Sequence, residues 1–204
     1  MSDAISIIKE RTSANNFDPT HHMSHAEIEE LVQLTINTPT SFNMQNWRLI
    51  AVSSKEKKAE LKALAFNQPK VGDAAITFIV VGNAMGYKDL PHVIKPMLDA
   101  GAIDQAAYDG WIGMANGMYD NNTQLQRDEA IRSGGLASMT LMYAAQAKGL
   151  VSGAMIGFDA AGVAKAFHLG EHEVPVMLIA VGKAAAGNWP RKARRALGEV
   201  LSTL

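Results

Sequence analysis

The chain has 204 residues, 48% of them hydrophobic, with 19 basic and 20 acidic side chains, a formal net charge of −1 and no cysteine. That size and apolar content allow one domain with its own core, without disulfide or metal staples. Near-neutral, interspersed charge disfavours nucleic acid and anionic bilayers as partners, and the missing thiols exclude disulfides, iron–sulfur ligation, zinc–thiolate sites and a thiol nucleophile.

The first eleven residues are mixed and charged rather than a signal-peptide core, and no apolar stretch is long enough to span a bilayer, so a soluble cytoplasmic protein is expected. Ile5, Ile7 and Ile8 with a charged edge predict a short helix over residues 3–10, feeding Arg11-Thr12-Ser13. Ser24 followed by Glu27 is a capping-box signal, and Ile28, Leu31, Val32, Thr35 and Ile36 recur at helical spacing, so a helix over 24–37 follows. Residues 49–52 read as a strand, 55–65 as a helix of good helix formers, and 75–81 as a buried strand stopped by Gly82. Near-continuous apolar strands imply a sheet covered on both faces.

Residues 87–119 are mixed, with Pro91, Pro96 and interspersed glycines breaking any single long helix, and they read as an inserted helical excursion. The longest helical pattern, 122–148, has a small apolar face of Ala137, Leu141, Ala144 and Ala145 and stops at Gly149. A glycine-bearing turn over 153–159, a short helix to about Phe167 and an apolar strand over 174–181 complete an alternation of helices and strands, α+β or α/β in class.

Common catalytic motifs are missing: no G-x-G-x-x-G follows a strand, and no G-x-x-x-x-G-K-[ST], G-x-S-x-G or H-E-x-x-H is present. His21, His22 and His25 straddle a helix cap with only Glu29 at ligand spacing, and a solvated helix start fits them better than a metal site. Three polar segments remain that periodicity does not require. Arg11-Thr12-Ser13-Ala14-Asn15 offers groups for a phosphate or a flavin edge, or forms a surface turn. Residues 39–47 place two aromatics in a polar loop suited to a planar ligand, or make an ordinary helix-to-strand connection. The run 191–195 gathers four cations beyond the last core strand, suiting either a phosphate or a solvated basic tail.

Together and in order, these segments resemble the nitroreductase flavoprotein family over nearly the whole chain. Arg11-Thr12-Ser13 resembles the family's Arg-x-Ser turn, which implies FMN contacts from Arg11, Ser13 and the Thr12 main chain, with Asn15 where Arg or Lys is usual. Pro39-Thr40-Ser41-Phe42-Asn43-Met44-Gln45-Asn46-Trp47 is similar to Pro-Ser-Ser-x-Asn-x-Gln-Pro-Trp, departing at Thr40 and Asn46. In the family this loop reaches the neighbouring subunit's FMN, which implies that Pro39, Ser41 and Asn43 serve a partner's site. Asn67 and Lys70 resemble an Asn-x-x-Lys pair that addresses the flavin pyrimidine. Residues 151–159 resemble a Pro-x-x-Gly-Phe-Asp turn whose main chain faces flavin N5, implying Ala154, Met155, Ile156 and Gly157, with Ala154 replacing proline and Ile156 a frequent glutamate. Lys192 and Arg194 match a Lys-x-Arg ending that holds the FMN phosphate.

The resemblance implies one FMN-binding domain over 1–204, with the excursion at about 87–119. It implies an α+β, three-layer fold with a central mixed, mainly antiparallel sheet between helices, in a homodimer with FMN at the subunit interface. The implied reaction takes hydride from NADPH or NADH through flavin N5 to a small nitroaromatic, quinone or enone by a ping-pong route. Since the flavin carries the chemistry, no catalytic side chain is expected. Two alternatives stand beside it: a flavoenzyme of the same fold specific for one metabolite, and a flavin-binding protein with little turnover.

Overall fold

The computed structural model describes residues 4–204. Helix α1 (Ala4–Glu10) forms as expected, with the expected start at Asp3 lying outside the described residues. Ser24 caps α2 (His25–Thr35) with a complete capping box, its Oγ accepting from Glu27 N at 3.3 Å while the Glu27 carboxylate accepts from Ser24 N at 2.8 Å.

Four strands, β1 (Trp47–Val52), β2 (Ile76–Asn83), β3 (Val151–Met155) and β4 (Glu173–Gly182), form one sheet in the order β1-β2-β4-β3. All pairings between these strands are antiparallel, with Leu49 opposite Val80, Phe78 opposite Ile179 and Gly153 opposite Ala180. The parallel component is a single bridge between Ser13 and Ser152 at the outer edge of β3.

Central position explains why β2 from Ile76 to Gly82 and the second half of β4 are continuously buried, for alternate side chains enter different cores. Ile79, Val81, Leu178 and Ala180 meet Leu61 of α3 (Lys55–Leu64), Val71 of α4 (Pro69–Asp73) and Val163 of α8 (Ala160–Ala166). Ile76, Phe78, Val80, Ile179 and Val181 meet Leu31 of α2 and Leu141, Met142, Ala144 and Ala145 of α7 (Thr123–Ala147). Helix α7 lies so near the sheet that a Cβ on Gly82 would stand 2.4 Å from the Ala130 carbonyl oxygen, so only glycine fits there.

The excursion is two helices, α5 (Leu90–Asp99) and α6 (Gln105–Tyr119), with a third small core of Tyr87, Leu90, Ile94, Ala115, Tyr119 and Met44. Pro96 sits inside α5, and Gly110, Gly113 and Gly117 sit inside α6 without breaking either; the break between the helices falls at Gly101, whose φ of +69° favours glycine. A second correction concerns 153–159: its first residues belong to β3, and the turn begins only at Ile156. Small residues hide a strand signal, but pairing with β4 decides the conformation. None of the described helices is long and apolar enough to cross a membrane.

Candidate cofactor site

The edge of β3 that β4 leaves free is stitched to the segment after α1. Ala14 N donates to the Ser152 carbonyl at 2.9 Å, Ala14 and Phe17 are buried, and Phe17 bridges to Ala184. Gly153 permits this approach, since a Cβ there would lie 2.4 Å from the Ala14 carbonyl oxygen. The C-terminal tail then returns across the turn. Asn188 Oδ1 accepts from Asn15 N at 2.8 Å and from Asn16 N at 2.9 Å. Arg191 Nη2 donates to the carbonyls of Ile8 (2.9 Å), Lys9 and Arg11 (3.1 Å), holding the end of α1. Between turn and tail lies a cleft of about 60 Å³ lined by Thr12, Ser13, Trp189, Arg191, Lys192 and Arg194.

A second loop joins from the other side. Phe66 and Asn67 take left-handed backbone angles (φ +53° and +57°), after which Pro69 opens α4 and places Lys70 in its first turn. Lys70 Nζ approaches Asn15 Oδ1 at 3.4 Å. Burial lowers the Lys70 ammonium below its ordinary value of 10.5, and the charge of Lys192 lowers it further. Thus Asn15, Lys70 and Lys192, far apart in sequence, share one electrostatic environment. Gln68 Nε2 donates to the Gly157 carbonyl at 2.8 Å, tying this loop to the end of β3.

On β3 itself, Met155 is buried in the core shared with α8, and Ala154 packs into the core shared with α7. These two residues can therefore offer a ligand main-chain groups but not side chains. Ser152 turns its carbonyl outward to Ala14, and strand alternation turns the main chain of Ala154 toward the same edge. Ile156 and Gly157 follow beyond the strand, with Ile156 78% exposed.

Charge separates this region from the rest of the molecule. Some lysines and arginines elsewhere reach carboxylates, as in Arg48–Glu173 (2.5 Å), Lys57–Glu60 (2.7 Å) and Lys88–Asp120 (2.5 Å), and others, such as Lys55 and Lys62, stand singly; here the unpaired cations are gathered. Arg11, Lys70, Arg191, Lys192 and Arg194 form no ion pair among the described residues. Lys192 instead stands 5.2 Å from the Trp189 ring centroid, and Arg194 bonds only to the nearby carbonyls of Lys192 and Ala193. Such a cluster suits an anion.

The structure thus gathers Arg11, Thr12, Ser13, Asn15, Asn67, Lys70, residues 154–157, Lys192 and Arg194 at one end of β3. It does not bring Pro39, Ser41 and Asn43 there. Their loop, with Phe42, Asn43 and Gln45 at positive φ, is fastened to the excursion and to the end of β2: Tyr119 OH donates to Ser41 Oγ at 3.3 Å, and Asn46 Nδ2 to the Asn83 carbonyl at 3.2 Å. Among the described residues no hydrogen bond joins residues 39–46 to 11–15, 67–70, 154–157 or 192–194. Sequence reasoning also passed over Gln68, Asn188 and Trp189. Gln68 lay inside a recognised segment, whereas nothing local in Gly187-Asn188-Trp189 signals a contact about 170 residues away in sequence.

An antiparallel sheet between helical layers, with an anion-receptive cluster at the free edge of its outer strand, defines a cofactor- or ligand-binding α+β protein. Comparison makes this specific. The nitroreductase family model matches residues 8–183, and the chain belongs to that family. The Bacillus subtilis protein YodC, named provisionally as an NAD(P)H nitroreductase, is 33% identical over 184 residues, covering 90% of this chain and 91% of its own. The CLA biosynthesis enone reductase of Lactiplantibacillus plantarum is 27% identical over 188 residues, covering 90% and 87%. A nitroreductase-type crystal structure from Exiguobacterium sibiricum in complex with FMN matches with a TM-score of 0.92 at 29% identity, covering 100% of this chain and 98% of that one.

Proposed function

We propose that the chain is a single-domain, FMN-dependent oxidoreductase that moves hydride from NAD(P)H to nitroaromatic, quinone or enone acceptors. The observation that carries this reading is the set of cations without carboxylate partners at the edge of β3, with Lys70 held partly out of water. The donor set fits FMN. Lys192 and Arg194 would take the phosphate beside the Thr12–Ser13 turn, with Arg11 next to it, and Lys70, Asn15 and Asn67 would take the pyrimidine edge. Ser152 Oγ, buried and without a hydrogen-bond partner, adds an unused polar atom beneath the same edge.

FMN, when bound, supplies hydride exchange at N5 between the nicotinamide and the acceptor. This chain's part is to bind and orient. The Lys70 ammonium would stabilise negative charge on the pyrimidine edge, and the main-chain groups of 154–157 would be available to the ring. No side-chain acid or nucleophile is required. Nicotinamide and acceptor use one face in turn, which gives ping-pong kinetics. Pro39, Ser41 and Asn43, fastened away from this site within one chain, serve the site of a second copy, so the active form is a homodimer, in the cytoplasm. Which nicotinamide and which acceptor are preferred is read by two-substrate kinetics with NADPH and NADH against a nitroaromatic, a quinone and an enone. Parallel double-reciprocal lines are expected; intersecting lines would overturn the ping-pong route, and no turnover with any acceptor would overturn the enzyme reading.

A further inference from the structure

Residues 189–195 belong to no helix or strand and are exposed, yet the cleft depends on Lys192 and Arg194 standing opposite Thr12 and Ser13. Something must fix the tail. Arg191 ties it to the end of α1, and one side chain upstream of the cations fastens it with every group it has. Asn188 Oδ1 accepts from Asn15 N (2.8 Å) and Asn16 N (2.9 Å), while Nδ2 donates to the Asn16 carbonyl (2.7 Å) and the Ala185 carbonyl (3.1 Å). A carboxamide has two acceptor and two donor positions, so its capacity is filled. The reverse amide orientation would set donors against donors. Gly187 before it has φ +88°, and a Cβ there would stand 3.1 Å from Asn16 Nδ2, so the turn presenting Asn188 is built for this approach. Asn188 does not line the cleft.

We infer that Asn188 is a positioning residue that locks the tail to the 15–16 segment and thereby assembles the phosphate end of the cofactor site. The inference rests on the reading that the FMN phosphate occupies this cleft. A rigid clamp means that the cations need not be ordered when the anion binds, which raises affinity for the phosphate in particular.

The test compares FMN with riboflavin, which has the same ring and no phosphate, by fluorescence titration of the wild type and Asn188→Ala, with thermal melting alongside. The wild type is expected to prefer FMN. Asn15 keeps two further anchors, the Ala14–Ser152 main-chain bond and Lys70 Nζ, so Asn188→Ala should lose about tenfold in FMN affinity while riboflavin affinity stays within about twofold. Gly187→Ala, which displaces the same turn and keeps the amide, should show the same selective loss and stands in if Asn188→Ala does not fold. Equal losses for both flavins would mean a merely structural role and overturn the inference. Unchanged preference in both variants of an FMN-selective wild type would overturn it alone. A wild type that binds neither flavin would overturn it together with the cofactor reading.

Discussion

The tail with its β3 edge and the excursion with its neighbouring helix both carry charged side chains, arranged in opposite ways. In and beside the excursion, Lys88 meets Asp120 at 2.5 Å and Lys95 meets Asp99, and on the neighbouring α7 Arg132 meets the largely buried Glu129. Tyr87 and Gln126 extend that network, with Gln126 Nε2 donating to Tyr87 OH at 3.2 Å and to the Tyr119 carbonyl at 2.7 Å. Here polar groups answer one another and fix the fold. At the β3 edge the cations answer no carboxylate, and one of them is desolvated as well. Several such cations gathered in one cleft, one of them desolvated, mark a place where a ligand is received; paired ones fix structure.

That contrast is broken most easily by removing cations from the receptive side. Replacing Lys192 and Arg194 together with alanine should weaken FMN binding by about a thousandfold with little change in melting temperature, and Arg194→Ala alone by about ten- to a hundredfold, as read by flavin titration. On the other side, Gln126→Ala should behave in reverse. Its buried amide links the excursion to α7, so its loss should destabilise the protein by about 1–3 kcal/mol in denaturant unfolding while leaving FMN affinity intact.

Lys70→Met sharpens the comparison further, because it should improve one property and damage another. Burial depresses the folded-state pKa of Lys70 below its unfolded value of 10.5, so the charged form is a burden on the folded chain at neutral pH. The burden lifts as pH rises through the lowered pKa. Without flavin, Lys70→Met should therefore melt slightly above the wild type at pH 7, by less than about 1 kcal/mol given solvent screening, and the advantage should vanish once both states of the wild type are deprotonated. FMN affinity should fall in the variant, and in the wild type as pH climbs through the same range. The smallest effect is expected for Lys88→Ala, an exposed paired cation: no change in flavin binding and a melting shift within about 2 °C.

Most of the layered fold was legible because its signals are local or periodic. The Ser24 capping box, the apolar runs of β2 and β4 and the small-residue face of α7 all formed where the sequence placed them. The last three residues of β3 read as part of a turn because Gly153 and Ala154 carry no strand preference; β4 and the Ala14 segment impose it. The site was legible as separate segments, since residue types in a row announce chemistry. How the segments meet was not. Asn188 contacts Asn15 across 173 residues of sequence, and the loop carrying Ser41 and Asn43 turns toward Tyr119 rather than toward Lys70. Such choices follow from packing between elements, which no local window contains.

Adding FMN to the purified chain, desalting, and recording the absorption spectrum before and after anaerobic NADPH or NADH tests flavin-dependent oxidoreduction most directly. Flavin absorbance that stays with the protein and bleaches with one or both nucleotides is the expected result. A protein that leaves the column colourless would contradict the assignment and return Lys70, Lys192 and Arg194 to the status of unpaired surface charge.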